Sequence, residues 1–272
     1  MSTPIIEVAG LRKRYGASEV VCGVDFTVES SECFGLLGPN GAGKTTTIRM
    51  ITCFSPASAG RLRVFGLPVE PANHRAIKAR LGLAPQEENL DPDLSVEMNL
   101  LIYASYFGIP GGEARARVAE LLVLDEPTTG LDPQARHLVW ERLRELKRSG
   151  VAMLLTTHYM EEAAQLCDRL VVMDHGRIVT QGTPADLIER HVGREVIEVA
   201  TGDDAARRTR ILDVVRPHAT RVEALADRVV IYANGDSDVR GMLATLAGEE
   251  LVHRRATLED VFLTLTGREL RE

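Results

Sequence analysis

The chain has 272 residues, 44% of them hydrophobic, and a formal net charge of −7. This size favours one large domain with a smaller one, and the acidic balance disfavours nucleic acid as a partner. The four cysteines, at positions 22, 33, 53 and 167, form no C-x-x-C pair and indicate reduced thiols. No apolar run approaches the ~20 residues that cross a bilayer, and the N-terminus lacks a signal-peptide layout, so we expect a cytosolic protein.

The first two-thirds of the chain predicts an α/β nucleotide-binding core. Short segments predict a small antiparallel sheet, at residues 5–8, 19–22, 25–28 and 61–65. Near-continuous apolar runs predict buried parallel strands, at residues 33–37, 81–84, 121–124, 152–156 and 169–173. Helices are predicted at residues 135–149 and 160–167. The basic run at residues 12–14 is expected to be a solvated surface patch.

A phosphate-binding loop follows the predicted strand at residues 33–37. It has the pattern G-x-x-x-x-G-K-[ST] and opens onto a predicted helix that begins at Thr46. The glycines let backbone N–H groups converge on phosphate oxygens, Lys44 adds a positive charge, and the Thr45 hydroxyl suits Mg²⁺. The predicted nucleotide-binding residues are Gly38, Pro39, Asn40, Gly41, Ala42, Gly43, Lys44, Thr45 and Thr46.

Polar side chains follow three further strands of the predicted sheet. Asp125 ends the strand at residues 121–124 and can hold Mg²⁺, while Glu126 beside it can orient or deprotonate the attacking water. His158 follows the next strand, where an imidazole can contact the γ-phosphate; taken alone, it is also compatible with a structural histidine. Gln86 follows the strand at residues 81–84 and is an uncharged candidate for the metal or the water.

Tyr15 lies just before Gly16, ahead of the core strands. It is a candidate stacking platform for the nucleotide base, and the alternative is an aromatic side chain of the core.

A different pattern begins at about residue 194 and predicts a second domain. Strands are predicted at residues 195–199, 221–224, 228–232 and 250–253, and helices at residues 204–215 and 237–246. This β-α-β-β-α-β order indicates a small α+β, ferredoxin-like unit, which an amphipathic helix at residues 258–265 would close. No catalytic pattern occurs there, so an accessory or regulatory role is expected for residues 191–272.

In order, these motifs resemble one ATP-binding-cassette (ABC) ATPase. The A-loop, Walker A, Q-loop, Walker B, D-loop and switch histidine of that family each have a counterpart in this sequence. In the same order, they are similar to Tyr15, the loop at residues 38–45, Gln86, the segment at residues 121–127, the Gly130-Leu131-Asp132 segment and His158. The segments at residues 32–40, 126–142, 155–162 and 258–269 resemble the exporter branch, in particular the nodulation protein I type that energises lipo-chitin oligosaccharide export.

The resemblance implies a fold, ligands and partners. Residues 1–190 would form a P-loop ABC ATPase domain with a parallel sheet and a small antiparallel subdomain. ATP and Mg²⁺ would bind, with Glu126, His158 and Gln86 in catalysis and Thr45, Gln86 and Asp125 around the metal. A separate transmembrane permease and a second ATPase subunit would be partners, and the chain would lie at the inner face of the cell membrane.

One departure from the family pattern concerns the signature motif. The family has Leu-Ser-Gly-Gly or a close variant shortly before the Walker B strand, and none occurs between Gln86 and Asp125. A block of a few dozen residues is therefore expected to be missing at or near the junction of Glu120 and Leu121. Because that motif closes on the γ-phosphate of a partner cassette, hydrolysis is expected to be impaired. The alternatives are a nucleotide-binding remnant or regulatory subunit, and an ABC ATPase that is not linked to transport.

Overall fold

The computed structural model describes residues 4–84, 120–233 and 239–267. The chain divides into two compact units, Met1–Ile178 and Val179–Glu272. The functional boundary predicted after residue 190 stays a prediction. No helix among the described residues is long and apolar enough to cross a membrane.

An antiparallel sheet forms the first layer of unit Met1–Ile178. Its order is β2-β1-β4-β5, with β1 at Ile6–Tyr15, β2 at Ser18–Val28, β4 at Ala59–Val64 and β5 at Leu67–Pro68. The two short strands predicted at residues 19–22 and 25–28 are one strand, which is a correction. Leu11 pairs with Val24 and Arg12 with Cys22, so Gly23 is bulged at φ 88° and the strand continues through it.

The basic run at residues 12–14 lies in β1. Its expected solvation is wrong for Lys13, which is 7% exposed. The Lys13 Nζ donates to the Pro56 carbonyl at 2.6 Å.

A six-stranded sheet forms the nucleotide-binding core. Its order is β10-β9-β3-β8-β7-β6, with β3 at Cys33–Leu37, β6 at Leu81–Ala84, β7 at Leu121–Asp125, β8 at Ala152–Thr157, β9 at Arg169–Asp174 and β10 at Arg177–Gly182. The pairs from β9 to β6 are parallel, which confirms the predicted α/β core. The sequence analysis missed β10 because its alternate exposed residues interrupt the apolar pattern.

Helices connect these strands and cover the sheet. They are α1 at Lys44–Ile51, α2 at His74–Lys78, α3 at Pro133–Arg148 and α4 at Met160–Leu166. Helix α3 begins where Asp132 Oδ1 accepts from the Ala135 amide at 2.9 Å, with Pro133 at its first position. The buried side chains of β3, including Phe34 and Leu36, pack with Ile48 of α1 in the core of this unit.

A second, four-stranded antiparallel sheet forms in unit Val179–Glu272. Its order is β12-β13-β11-β14, with β11 at Glu195–Ala200, β12 at Arg221–Ala224, β13 at Arg228–Ala233 and β14 at Leu251–Arg255. Its helices are α5 at Pro184–His191, α6 at Ala205–Val215, α7 at Val239–Thr245 and α8 at Leu258–Thr266. The order of strands and helices from β11 to β14 confirms the predicted ferredoxin-like unit. Helix α5 was not predicted.

Candidate active site

The phosphate-binding loop runs from the end of β3 to the first turn of α1. The Gly38 amide donates to the Thr157 carbonyl of β8 at 3.3 Å, which fixes the start of the loop on the sheet. A Cβ at Gly38 would lie 2.2 Å from the Met173 carbonyl oxygen, so only glycine fits there. Gly43 adopts φ 99° and caps α1. The first amides of α1, which have no partner within an α-helix, therefore adjoin the loop, as an anion site requires.

Lys44 lies inside this loop and is 4% exposed. Its Nζ donates to the carbonyls of Gly38 at 2.7 Å and Pro39 at 3.1 Å, and lies 3.2 Å from Glu126 Oε1. Burial lowers the pKa of Lys44, and the nearby Glu126 carboxylate opposes this shift. The ammonium group is thus held by oxygen atoms, which phosphate oxygens could replace.

Thr45 and Asp125 form a pair of oxygen ligands at the ends of α1 and β7. Thr45 Oγ1 donates to Asp125 Oδ1 at 3.2 Å, although 80 positions separate them in sequence. Thr156 Oγ1 of β8 donates to the same carboxylate oxygen at 2.5 Å and holds its orientation. A hydroxyl and a carboxylate suit Mg²⁺, which prefers few protein ligands together with water and phosphate. These residues therefore fit the predicted metal.

Glu126 and His158 lie beside this pair. Glu126 is 6% exposed, and its Oε2 lies 3.1 Å from His158 Nδ1 and accepts from Thr129 Oγ1 at 3.3 Å. Its backbone has φ 51°, in the left-handed region that a residue with a side chain rarely adopts. Its amide donates to both oxygens of Thr156, which supports this conformation. A carboxylate that contacts an imidazole and a lysine can orient or deprotonate a water molecule.

Of the two remaining predicted residues, the structure describes only Tyr15. Tyr15 is 48% exposed at the end of β1, with Lys13 Nζ 4.9 Å from its ring centroid. The core-aromatic alternative for Tyr15 is therefore wrong, whereas a stacking role stays a prediction. Gln86 lies outside the described residues.

Thr156 and Thr129 contact the predicted site residues, and the sequence analysis missed both. Thr156 pairs with Asp125 in the parallel register of β7 and β8. The sequence signal is a hydroxyl residue two positions before His158, but its partner becomes visible only when the strand order is known. Thr129 lies three positions after Glu126, within reach of a turn hydrogen bond.

Comparisons with known proteins agree with this geometry. A family model described as ABC transporter matches residues 21–124, and one described as nodulation factor export protein NodI, C-terminal domain, matches residues 204–267. The Nod factor export ATP-binding protein I of Ralstonia nicotianae is 45% identical, over 100% of this chain and 96% of that protein. The chain belongs to the Nod factor export ATP-binding protein I family of ABC transporter ATPases. By family it is an ABC-type ATPase.

Other members of the Nod factor export ATP-binding protein I family and solved structures extend the likeness. The relative from Rhizobium sp. (strain N33) is 43% identical over 99% of each chain. An ATP binding subunit of an ABC transporter has a TM-score of 0.59 and 26% identity, over 68% of this chain and 92% of its own. The fold is also that of cbiO1 from Clostridium perfringens, described as part of the ABC transporter complex cbiONQ, with a TM-score of 0.59 and 21% identity, over 79% and 96% of the two chains.

The Nod factor export ATP-binding protein I relatives are longer within the aligned region. The alignment with the Burkholderia thailandensis relative, 43% identical, spans 309 positions and covers 100% of both chains. Because this chain has 272 residues, at least 37 of the 309 alignment positions are gaps in this chain. This number agrees with the expected block of a few dozen residues. Its location near Glu120 and Leu121 stays a prediction.

Proposed function

We propose that the chain is the ATP-binding subunit of an exporter for nodulation-factor-like lipo-oligosaccharides or other amphiphilic molecules. One observation carries the nucleotide part: the structure brings Lys44, Thr45, Asp125, Glu126 and His158 together at one edge of the parallel sheet. The relatives named Nod factor export ATP-binding protein I support the export part. By analogy, a separate membrane permease carries the substrate, and the chain lies at the inner face of the membrane.

Each residue has a defined part in this proposal. The loop amides and Lys44 bind the phosphates of ATP, and Tyr15 stacks on the base. Thr45, Asp125 and Gln86 hold Mg²⁺, which would neutralise charge on the phosphate oxygens. Glu126 orients the attacking water and accepts its proton, while His158 contacts the γ-phosphate. Residues 1–190 form the nucleotide-binding domain, and residues 191–272 are an accessory domain.

Nucleotide binding is tested by titration calorimetry with Mg-ATP. Wild type is expected to bind, because the loop amides, Lys44 and Thr45 belong to one chain. Lys44→Ala should abolish the binding, since the loop loses its only ammonium group among residues 38–46. Lys147→Ala is the matched control, because its ammonium group contacts Asp168 and the Leu166 carbonyl instead of the loop. Equal ATP affinity in wild type and Lys44→Ala would overturn the assignment of the loop.

The missing signature motif favours a second, narrower reading of the same site. Thr45, Asp125 and Glu126 of this chain position the metal and the water. The signature motif, with which a partner cassette covers the γ-phosphate, is absent from the sequence between Gln86 and Asp125. For comparison, one oxyanion-hole donor contributes about 10²–10³ in rate and a trans-acting arginine about 10³–10⁵. We therefore infer that the chain binds ATP and turns it over near background, as a hydrolysis-deficient or regulatory subunit would.

Phosphate release with and without Glu126→Gln tests this inference, together with light scattering in ATP. Glu126→Gln is expected to change neither the rate of phosphate release nor the association state. The reason is that we expect neither turnover of ATP nor closure of two cassettes around it. A wild-type rate that Glu126→Gln lowers about tenfold or more would show that another segment replaces the lid. Insertion of a family-like signature block between Glu120 and Leu121 should restore both turnover and ATP-dependent dimerisation.

A further inference from the structure

A buried carboxylate outside the catalytic cluster connects three elements of the nucleotide-binding unit. Glu162 of α4 is 0% exposed. Its Oε1 accepts two hydrogen bonds, from Thr128 Oγ1 at 2.7 Å and from Trp140 Nε1 of α3 at 3.0 Å. Its Oε2 is buried and has no hydrogen-bond partner among the described residues. A fully buried acid with one unsatisfied oxygen is costly, so its presence needs an explanation.

The hydrogen bond from Thr128 to Glu162 joins the segment that follows Glu126 to the segment that follows His158. Thr128 lies two residues after Glu126, in the turn where the Thr129 amide donates to the Glu126 carbonyl at 3.2 Å. Glu162 lies four residues after His158, in the first turn of α4. The segment after Glu126 and the segment after His158 are therefore joined twice: directly between Glu126 and His158, and again between Thr128 and the buried Glu162.

We propose that Glu162 is a positioning residue for recognition of the γ-phosphate. By accepting from Thr128 and Trp140, it holds the segment after Glu126 and the segment after His158 in a fixed relation, so that both side chains face the nucleotide together. The proposal rests on the nucleotide-binding function proposed above. ADP lacks the γ-phosphate and depends on the loop at residues 38–46. Glu162 should therefore matter for ATP and not for ADP.

The chemistry of this contact separates two substitutions. In Glu162→Gln, the amide oxygen can take the place of Oε1 and keep both hydrogen bonds, while the NH₂ group takes the place of the unpaired Oε2. In Glu162→Leu, neither hydrogen bond forms, and the Thr128 hydroxyl and Trp140 N–H are left without an acceptor. Glutamine should therefore preserve positioning, and leucine should remove it.

The experiment is calorimetric titration of wild type, Glu162→Gln and Glu162→Leu with Mg-ATP and with Mg-ADP. Glu162→Leu is expected to weaken ATP binding about tenfold, or about 1.4 kcal/mol, with ADP affinity unchanged. Glu162→Gln is expected to bind both nucleotides as wild type does. Equal losses for ATP and ADP, or no loss, would overturn the positioning role. Wild type that binds neither nucleotide would overturn the proposed function itself, and this inference with it.

A second pair of variants tests the same contact if Glu162→Leu does not fold. Thr128→Val keeps the shape of a buried residue and removes only its hydroxyl donor, whereas Thr128→Ser keeps the donor. Thr128→Val should weaken ATP binding selectively, and Thr128→Ser should not. Trp140 is the only tryptophan of the chain, so its emission reports the same site. Mg-ATP should change that emission in wild type and less in Thr128→Val; identical changes would contradict the proposal.

Discussion

The ion pair between Lys44 and Glu126 is buried in the site, and its coupling energy can be measured. The two side chains are 4% and 5% exposed, and Nζ lies 3.2 Å from Oε1. Lys44→Met removes the charge with little change of volume, and Glu126→Gln does the same for the acid. A double-mutant cycle of these substitutions, without nucleotide, isolates the interaction between the two charges.

The expected magnitude follows from the geometry. Two unit charges at this separation interact with about 5 kcal/mol at an effective dielectric constant of 20, before the cost of burying them. Each single substitution removes one charge of the buried pair and should destabilise the unit by about 3 kcal/mol. This is the low end of the usual range, because Lys44 keeps two carbonyl acceptors and Glu126 keeps His158. The double variant should also lose about 3 kcal/mol, so the coupling energy is about 3 kcal/mol.

Urea unfolding at pH 7, followed by the emission of Trp140, gives the four free energies. Trp140 lies in the same unit as the pair, so its emission reports the relevant transition. Additive losses in the double variant, within about 0.5 kcal/mol, would refute the reasoning. That result would mean that Lys44 and Glu126 contact each other without a net interaction.

Three further predictions concern the loop, the base platform and the second unit. Gly38→Ala should abolish Mg-ATP binding in calorimetry, because its Cβ would lie 2.2 Å from the Met173 carbonyl oxygen. Tyr15→Ala should weaken ATP binding by about 1–3 kcal/mol in the same assay if the ring stacks on the base. Burial raises the pKa of Asp260, but hydrogen bonds from Arg254 and a backbone amide outweigh it and lower the pKa. Asp260→Asn should therefore cost about 1–3 kcal/mol at pH 7, measured by circular dichroism.

Each of these predictions has a control. A Cβ at Gly41 would meet no atom within 4 Å, so Gly41→Ala adds only the backbone strain of its φ of 83° and should cost less binding than Gly38→Ala. Tyr15→Phe keeps the ring and should bind as wild type does; equal losses in Phe and Ala would exclude stacking. The stabilisation from Asp260 is present above its unfolded pKa, near 3.8, and is lost as pH falls through the lower folded value. A stability difference between Asp260→Asn and wild type that persists below that pH would contradict the assignment.

The local patterns of the sequence were sufficient for the phosphate loop and for the core strands. Residues 33–37 form β3 as predicted, because a short, buried apolar run is typical of a strand in a parallel sheet. The sequence also predicted that the ends of the parallel strands share one edge, and Glu126 Oε1 lies 3.2 Å from Lys44 Nζ at that edge. The βαββαβ order of the second unit was visible for the same reason: each of its elements has its own periodicity.

Contacts between distant elements could not be predicted in this way. The hydrogen bond between Thr156 and Asp125 depends on β8 lying beside β7, and strand order is a tertiary property. The buried position of Glu162 is a further case, since a glutamate on a short helix normally faces solvent. Only the packing of α3 against α4 brings the Trp140 N–H to it. Such contacts contradict local preference, which is one reason to look for function in them.

The connection before β7, where we expect the block to be missing, separates what this chain can do alone from what needs a partner. Only 36 residues lie between Ala84 and Leu121, yet a parallel crossover needs about 10–12, so β7 still pairs with β6 from Leu81 and Leu121 onward. Arg80 and Glu120 join the two strand starts through hydrogen bonds of 2.7 and 2.6 Å. The strand that carries Asp125 is therefore held in the sheet on both sides, by β6 and β8. Because the missing motif acts on a partner's nucleotide, its absence should affect turnover while leaving ATP binding by this chain intact.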